Sequence, residues 1–497
     1  MQRTQIGFLS LLLVTLALVG CDPTKFTKIA DGAPVRVIEA PGSARVNGTG
    51  FGSQMATYSS VQGGVLVSRL AGSGGGGTQV SVFPIFDGTS VGESALFDYC
   101  LSEADCGVGI GASVAGVAAL ADRKLCAVSG APAAGQIVYR CESGADSSRG
   151  LRLPLGGLPG TGMGTAMVAV PDGTTIHSGS ENVRVVISAP TAAAGQSSLY
   201  YLRDSAASTS LFPVPPTFTL PTGVAGLGDH LAIAPIDDAR TLLVATANAG
   251  GTKSAVVLVM NNSDASLEVR ACLDGGTVAR TVVAAGDLNG DGLPEIAVAE
   301  DGNSPLRTPT VNVFDGRGLP ETAAPSGTCP PWNTVSTSGA QRSTITCEES
   351  SGISCTGNVF GYAMHIADVN ADGFGELMIG APFAAVGDTG SAGVVYVYPG
   401  GVGGAGALPP AVLKSSDPSA NGNLGRAITT FQSSPGRWEI VAAETGSSPA
   451  HLFVFLCSGL NGDAASSVAP QCLLTSATPM VDAGPSRTDA SVGDSGS

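Results

Sequence analysis

An all-β propeller of seven blades is the fold this sequence predicts, and three observations predict it. Seventy glycines and 31 prolines punctuate 497 residues, too often for long helices. A unit consisting of an apolar residue, a glycine and short alternating apolar runs recurs along most of the chain. The oxygen-rich pattern D-x-N-x-D-G-x-x-E occurs twice, at 287–295 and 368–376, at equivalent points of two neighbouring units.

The units open at Phe51-Gly52, Ile110-Gly111, Met163-Gly164, Leu227-Gly228, Phe360-Gly361 and Leu424-Gly425. Behind each lies a second apolar strand: GGVLVSRL at 63–70, RKLCAVSGAP at 123–132, VRVVISAP at 183–190, RTLLVATA at 240–247, GELMIGAP at 375–382 and RWEIVAAE at 437–444. A third strand follows in most, as in QIVYRC at 136–141 or VVYVYPG at 394–400. The first oxygen-rich loop supplies the missing member, with TVVAAG at 281–286, EIAVAE at 295–300 and TVNVFDG at 310–316, which makes seven. A small sheet cannot bury both faces alone. Radial packing buries them and leaves only short, protected edges. Ala, Gly and Ser dominate the motif strands, as crowding toward an axis requires. Paired β-sandwiches would share the short alternating strands but not seven matched units in a row.

Around this core the order is as follows. Residues 1–20 form a targeting segment, with Arg3 as its positive end and Ile6–Val19 almost wholly apolar. Leu18-Val19-Gly20-Cys21 resembles a bacterial lipobox, which implies cleavage before Cys21 and a diacylglycerol on its thiol. The apolar run is shorter than the ~20 residues of a spanning helix, so an anchored and not a threaded protein is expected. Residues 21–33 are a tether. Residues 34–474 hold the propeller, and Val35, Val37, Ala44 and Val46 alternate as a strand that would close the ring with the last blade. Residues 317–354 are an insertion, and 475–497, rich in Ser, Asp, Gly and Ala, are expected to be disordered. The expected location is the bacterial cell envelope, in either membrane.

Ten cysteines besides Cys21 in an exported chain read as disulfides. Nearest-neighbour pairs, Cys100–Cys106, Cys126–Cys141 and Cys457–Cys472, are the default. No C-x-x-C occurs and the four histidines are scattered, which argues against zinc. With 24 basic against 40 acidic residues, nucleic acid is not an expected partner.

The two loops carry the clearest chemistry. Asp287, Asn289, Asp291 and Glu295, with the main-chain oxygen of Leu293, form one ligand set. Asp368, Asn370, Asp372 and Glu376, with that of Phe374, form the other. Oxygen donors at positions 1, 3, 5, 7 and 9, with Gly292 or Gly373 for the turn, suit Ca2+. An EF-hand would need Glu at position 12, where Val298 and Ile379 stand. Polar turns use the same residues, but the same pattern at two equivalent points favours cation binding. A structural role for two calcium ions is expected, because nothing in sequence places a nucleophile or base beside them.

Phe360-Gly361, then Asp368–Gly373, then Gly380-Ala381-Pro382 resembles the FG-GAP repeat of integrin α-subunit propellers and bacterial surface proteins. The resemblance extends over about 47–459. Gly130-Ala131-Pro132 and Ala189-Pro190 keep part of it, while five units lack the cation loop. It implies cation loops on one propeller face and partner-binding loops on the other. Fold follows more firmly than function, because one fold hosts many activities.

The expected function is a membrane-anchored, calcium-stabilised binding or scaffold module for a protein or glycan, without catalysis. The rival is an envelope hydrolase or lyase in the axial funnel, which needs carboxylates or histidines from several blades to converge there. Gly88–Gly92 fits G-x-S-x-G but lacks the strand–turn–helix context that motif needs, Gly493–Gly496 echoes a serine-protease loop but lies in the tail, and Gly72–Gly77 fits G-x-G-x-x-G but is a glycine run between strands. Two segments are candidate recognition loops: the insertion, with Cys329, Trp332 and Cys347, and Asp87–Cys106.

Overall fold

A computed structural model describes residues 36–39, 52–58, 64–69, 79–86, 90–91, 97–98, 111–118, 125–141, 152–156, 160–171, 173–192, 198–204, 209–213, 220–249, 252–273, 281–300, 309–332, 342–347, 353–354, 357–415, 417–434, 437–447 and 450–455. The targeting segment, Cys21, the tether, the tail and Cys100, Cys106, Cys457 and Cys472 lie outside them. Helical structure among the described residues is sparse, as in the short turns Pro132–Ala134 and Gly316–Gly318.

The strands fall into seven antiparallel meanders taken in chain order. Their innermost strands are Met55–Tyr58, Val114–Ala118, Met167–Ala169, Val224–Asp237, Thr281–Gly286, Met364–Ala367 and Leu424–Ser434. Each touches its counterpart in the next sheet, and the last returns to the first, so the sheets close a ring. That arrangement is a β-propeller. Six layers of buried apolar side chains are described, each shared by two neighbouring sheets. The first sheet contributes Val65 and Val67 to the layer it shares with the last, and is otherwise described mainly as backbone. The last sheet mixes both ends of the chain: Arg36–Glu39 pairs antiparallel with His451–Phe455, Arg36 opposite Val454 and Glu39 opposite His451.

The paired glycine and small-residue motifs have one physical origin. Gly52, Gly111, Gly164, Gly228, Gly361 and Gly425 all have φ between 82° and 98°, which side-chain-bearing residues avoid. Within its own sheet this glycine donates to the small residue ending the second strand: Gly52 to Ser68, Gly111 to Gly130, Gly164 to Ser188, Gly361 to Gly380. Toward the preceding sheet it meets the same small position. A Cβ at Gly361 would lie 2.5 Å from that of Ala299, one at Gly228 2.3 Å from that of Ser188, and one at Gly52 2.7 Å from that of Ala443. The two halves of the repeat are therefore the two sides of one inter-blade contact. The aromatic partner fills the layer behind it: Phe360 is buried edge-on to Tyr396 and Tyr398, with ring centroids 5.4 and 6.4 Å away.

The insertion differs from expectation. Arg342–Thr346 is the fourth strand of the fifth sheet, pairing with Thr310–Phe314. Its sequence, RSTIT, lacks the apolar alternation that marks the other strands. The first half, 317–332, lies along the outer strand of the fourth sheet, Leu267–Leu273. A disulfide joins Cys272 to Cys329, the Cys272 N–H donates to Pro330, and that of Ala324 donates to Val269. Arg270 is buried there and donates to the carbonyls of Pro320 and Glu321. Trp332 is only 3% exposed and packs edge-on against Phe314, so it is core and not a recognition aromatic. Cys126 and Cys347 are also disulfide-bonded, and the strand register places Cys126 opposite Cys141.

Candidate functional site

Both oxygen-rich loops join the first and second strands of their sheets, at 287–294 and 368–375. In the first, Asp287 is folded back by its own loop: Oδ1 accepts from Gly290 N–H at 2.7 Å and Oδ2 from Gly292 N–H at 2.8 Å. Asn289 Oδ1 accepts from Asp291 N–H, and Asp291 Oδ1 from Leu293 N–H, each at 2.9 Å. Such side-chain turns are why Asp, Asn and Gly alternate here. Glu295 opens the second strand and is buried. It accepts from Leu288 N–H at 2.7 Å, Asn289 Nδ2 at 2.8 Å and Gly316 N–H at 3.3 Å.

The second loop repeats this plan. Asp368 accepts from Asp372 and Gly373 N–H, Asp372 from Phe374 N–H, and fully buried Glu376 from Val369 N–H at 2.9 Å. Burial pushes the Glu295 carboxyl up to about 7, with Asp291 and Asp287 adding repulsion. It pushes Glu376 up to about 9, helped by Asp372 and Asp368.

The sequence reading missed one member of the first site. Asp291, Glu295 and Asp315 bring carboxylate oxygens within 4.8 Å of one another. Asp315 follows the third strand, beyond the loop's own motif, so only the strand register reveals it. Arg317 screens this cluster from outside, 3.3 Å from Asp291 and 2.6 Å from Asp315. At the second site the register puts Pro399 where Asp315 stands, so the two sites are unequal. Carboxylate and amide oxygens, with no nitrogen or sulfur donor among them, fit a hard cation. The Leu293 and Phe374 carbonyls lie in the same turns.

A cavity of about 850 Å3 runs along the ring axis and is lined by the innermost strand of every sheet. It is not lined by small apolar residues alone. Asp229 and His230 come from the fourth sheet, Tyr362 and His365 from the sixth, and Arg426 from the last. His230 and His365, in separate repeats of the sequence, are thus brought to one cavity. His365 Nε2 lies 3.0 Å from Thr430 Oγ1, and enclosure between blades lowers its pKa to about 4. His177 lies elsewhere, on Ile176–Ser178, and His451 Nδ1 pairs with buried Glu444 at 3.1 Å.

A family model described as the FG-GAP repeat matches residues 279–317 and 360–398. These spans hold both oxygen-rich loops. No curated protein matches the sequence. Among solved structures, a protein of unknown function from Dyadobacter fermentans DSM 18053 is 11% identical, covering 85% of this chain and 97% of that one, with a TM-score of 0.44. The Penicillium chrysogenum α-L-arabinanase complexed with arabinobiose is 9% identical, covering 84% and 96%, with a TM-score of 0.40. The closed ring of sheets and the matched spans lead to one statement: this chain is an all-β propeller that carries FG-GAP repeats.

Proposed function

We propose that the protein is a calcium-stabilised binding module, tethered to the bacterial envelope through a lipid on Cys21, which engages a protein or glycan with the face opposite its cation loops. The observation that carries it is the placement of Glu295 and Glu376. Each is buried beneath a loop bearing further carboxylates, an arrangement that is costly without a cation and stabilising with one. Asp287, Asn289, Asp291, Glu295 and Asp315 would hold one ion, and Asp368, Asn370, Asp372 and Glu376 the other. Calcium would supply charge neutralisation and loop rigidity, leaving the opposite face for recognition. Crosslinking the native lipoprotein in intact cells, with and without calcium, tests the reading. Recovery of a specific partner only when calcium is present is expected; the same background proteins under both conditions would overturn it.

A second reading, a hydrolase or lyase in the axial cavity, draws support from Asp229, His230 and His365 lining one space. Turnover of envelope glycans, abolished by His230→Ala, would favour it over the module.

A further inference from the structure

The opposite face carries a side-chain cluster that the cation loops do not explain. The strand Met364–Ala367 runs from the repeat's glycine, Gly361, to the loop at Asp368, so Tyr362 and the cation site mark its two ends. Arg426 follows the equivalent glycine of the last sheet. Both line the axial cavity at this rim. Arg426 Nε donates to the Tyr362 hydroxyl at 3.2 Å, and its guanidinium carbon sits 5.5 Å from the Tyr362 ring centroid. On Tyr362 leans Phe383 at 6.1 Å, nearly perpendicular, and 36% exposed. Phe383 is one of only two large exposed apolar side chains among the described residues. No ion pair to Arg426 occurs among the described residues, so its terminal nitrogens have no carboxylate partner there.

The backbone around this rim is held in unusual conformations. Six non-glycine residues among those described have positive φ. Four of them, Val359, Ser391, Asn421 and Asn423, lie in the connections that bound the rim. The connections are tied together: Asn421 N–H donates to Gly390, Asn423 N–H to Ser391, and Phe383 N–H to Asn358. Asparagine visits this region readily, so the strain is confined to Val359 and Ser391; such strain, kept where surrounding bonds enforce it, accumulates at ligand clamps.

We propose that this rim, between the sixth and last sheets, binds a carboxylate carried on a ring, either a uronic acid residue or a free aromatic acid. The planar guanidinium offers a paired-donor edge to a carboxylate. Phe383, packed on Tyr362 but outside the cavity lining, offers exposed apolar surface to the ring beside the arginine, and the adjoining cavity of about 850 Å3 has room for the rest of the ligand. A neutral sugar would leave the arginine without its anion, and an acyclic acid would leave the phenyl ring uncovered. As a uronic acid site the inference deepens the binding-module reading, whose glycan it would specify, and rests on it.

Ligand-observed saturation-transfer NMR on the full soluble chain, with D-glucuronate, benzoate and D-glucose as probes, tests the site. Transfer to at least one acid and none to glucose is expected. Arg426→Met, which keeps the aliphatic stem, should weaken binding about tenfold or more, and Phe383→Ala about threefold. Both variants should melt as the parent does. Glucuronate against benzoate separates the two sources of the carboxylate. Absence of transfer to both acids, or equal affinity in Arg426→Met, overturns the site. If Arg426→Met also still captures the crosslinked envelope partner, the module reading stands while this site falls.

Discussion

At the scale of single residues, the repeat is written in glycine because two constraints meet at one atom. Gly361 has φ of 92°, and a Cβ there would lie 2.5 Å from Ala299 of the preceding blade. Gly357, four residues earlier, also has positive φ, 68°, but open space around it. Gly357→Ala therefore incurs only backbone strain, about 1–2 kcal/mol. Gly361→Ala adds overpacking of a further ~1–3 kcal/mol, and should melt several degrees lower than Gly357→Ala in thermal denaturation. Equal melting would remove the inter-blade contact as the reason for the motif. His365 makes a second residue-level prediction. Its folded pKa of about 4 lies below the 6.5 of the free side chain, so the folded state binds its proton more weakly than the unfolded chain. The stability it contributes is whole above pH 6.5 and is lost as pH falls toward 4. His365→Gln, which can still bond Thr430, should flatten the acid limb of the melting profile between those values. An unchanged limb would mean that the imidazole is hydrated.

At the scale of elements, the contrast between what was legible and what was not follows from where the information lies. The two oxygen-rich loops were readable as turns because all their oxygens sit within nine consecutive residues. Asp315 was not, because it joins Asp291 and Glu295 only through the pairing of Ile296 with Phe314. The strand Arg342–Thr346 was hidden by its Ser and Thr content, and the insertion's attachment to Cys272 by a sequence separation of 57 from Cys329. The asymmetry between loops has a measurable consequence. The first offers a fourth carboxylate, Asp315, where the second has three and Pro399 in its place, so calcium should bind in two steps, the tighter at the first site. Chelation with EDTA should lower the melting temperature and added calcium restore it. By linkage, free calcium at 100-fold above Kd contributes about 2.7 kcal/mol per site. Asp315→Asn should weaken the tighter step alone, whereas Asp291→Ala with Asp372→Ala should abolish the response. Calorimetry showing two identical sites, or no EDTA effect, would contradict this account.

At the scale of the molecule, the ring must be closed by something other than a covalent bond. Six sheets are built from consecutive strands, but the last takes Arg36–Glu39 from the other end of the chain and sets it against His451–Phe455. Without that strand the last sheet keeps three strands and an open outer edge, and unpaired backbone groups along an edge invite pairing with another chain. The layer between the first and last sheets, where Val65 and Val67 meet Val441, Ala443 and Leu452, is also the only described layer that joins the two ends of the repeat array. Each blade contacts only its neighbours, so stability is close to a sum of blade and interface contributions, and closure couples the two terminal ones. Deleting residues 22–40 from a soluble form should therefore do more than lower the melting temperature. It should separate a single transition into two, with the first and last blades unfolding early, and favour oligomers by edge pairing in light scattering. Adding a peptide of residues 34–41 in excess should reverse both effects if the strand acts by pairing. A truncated chain that melts in one monomeric transition would mean that inter-blade packing alone, through the glycine contacts, holds the ring shut.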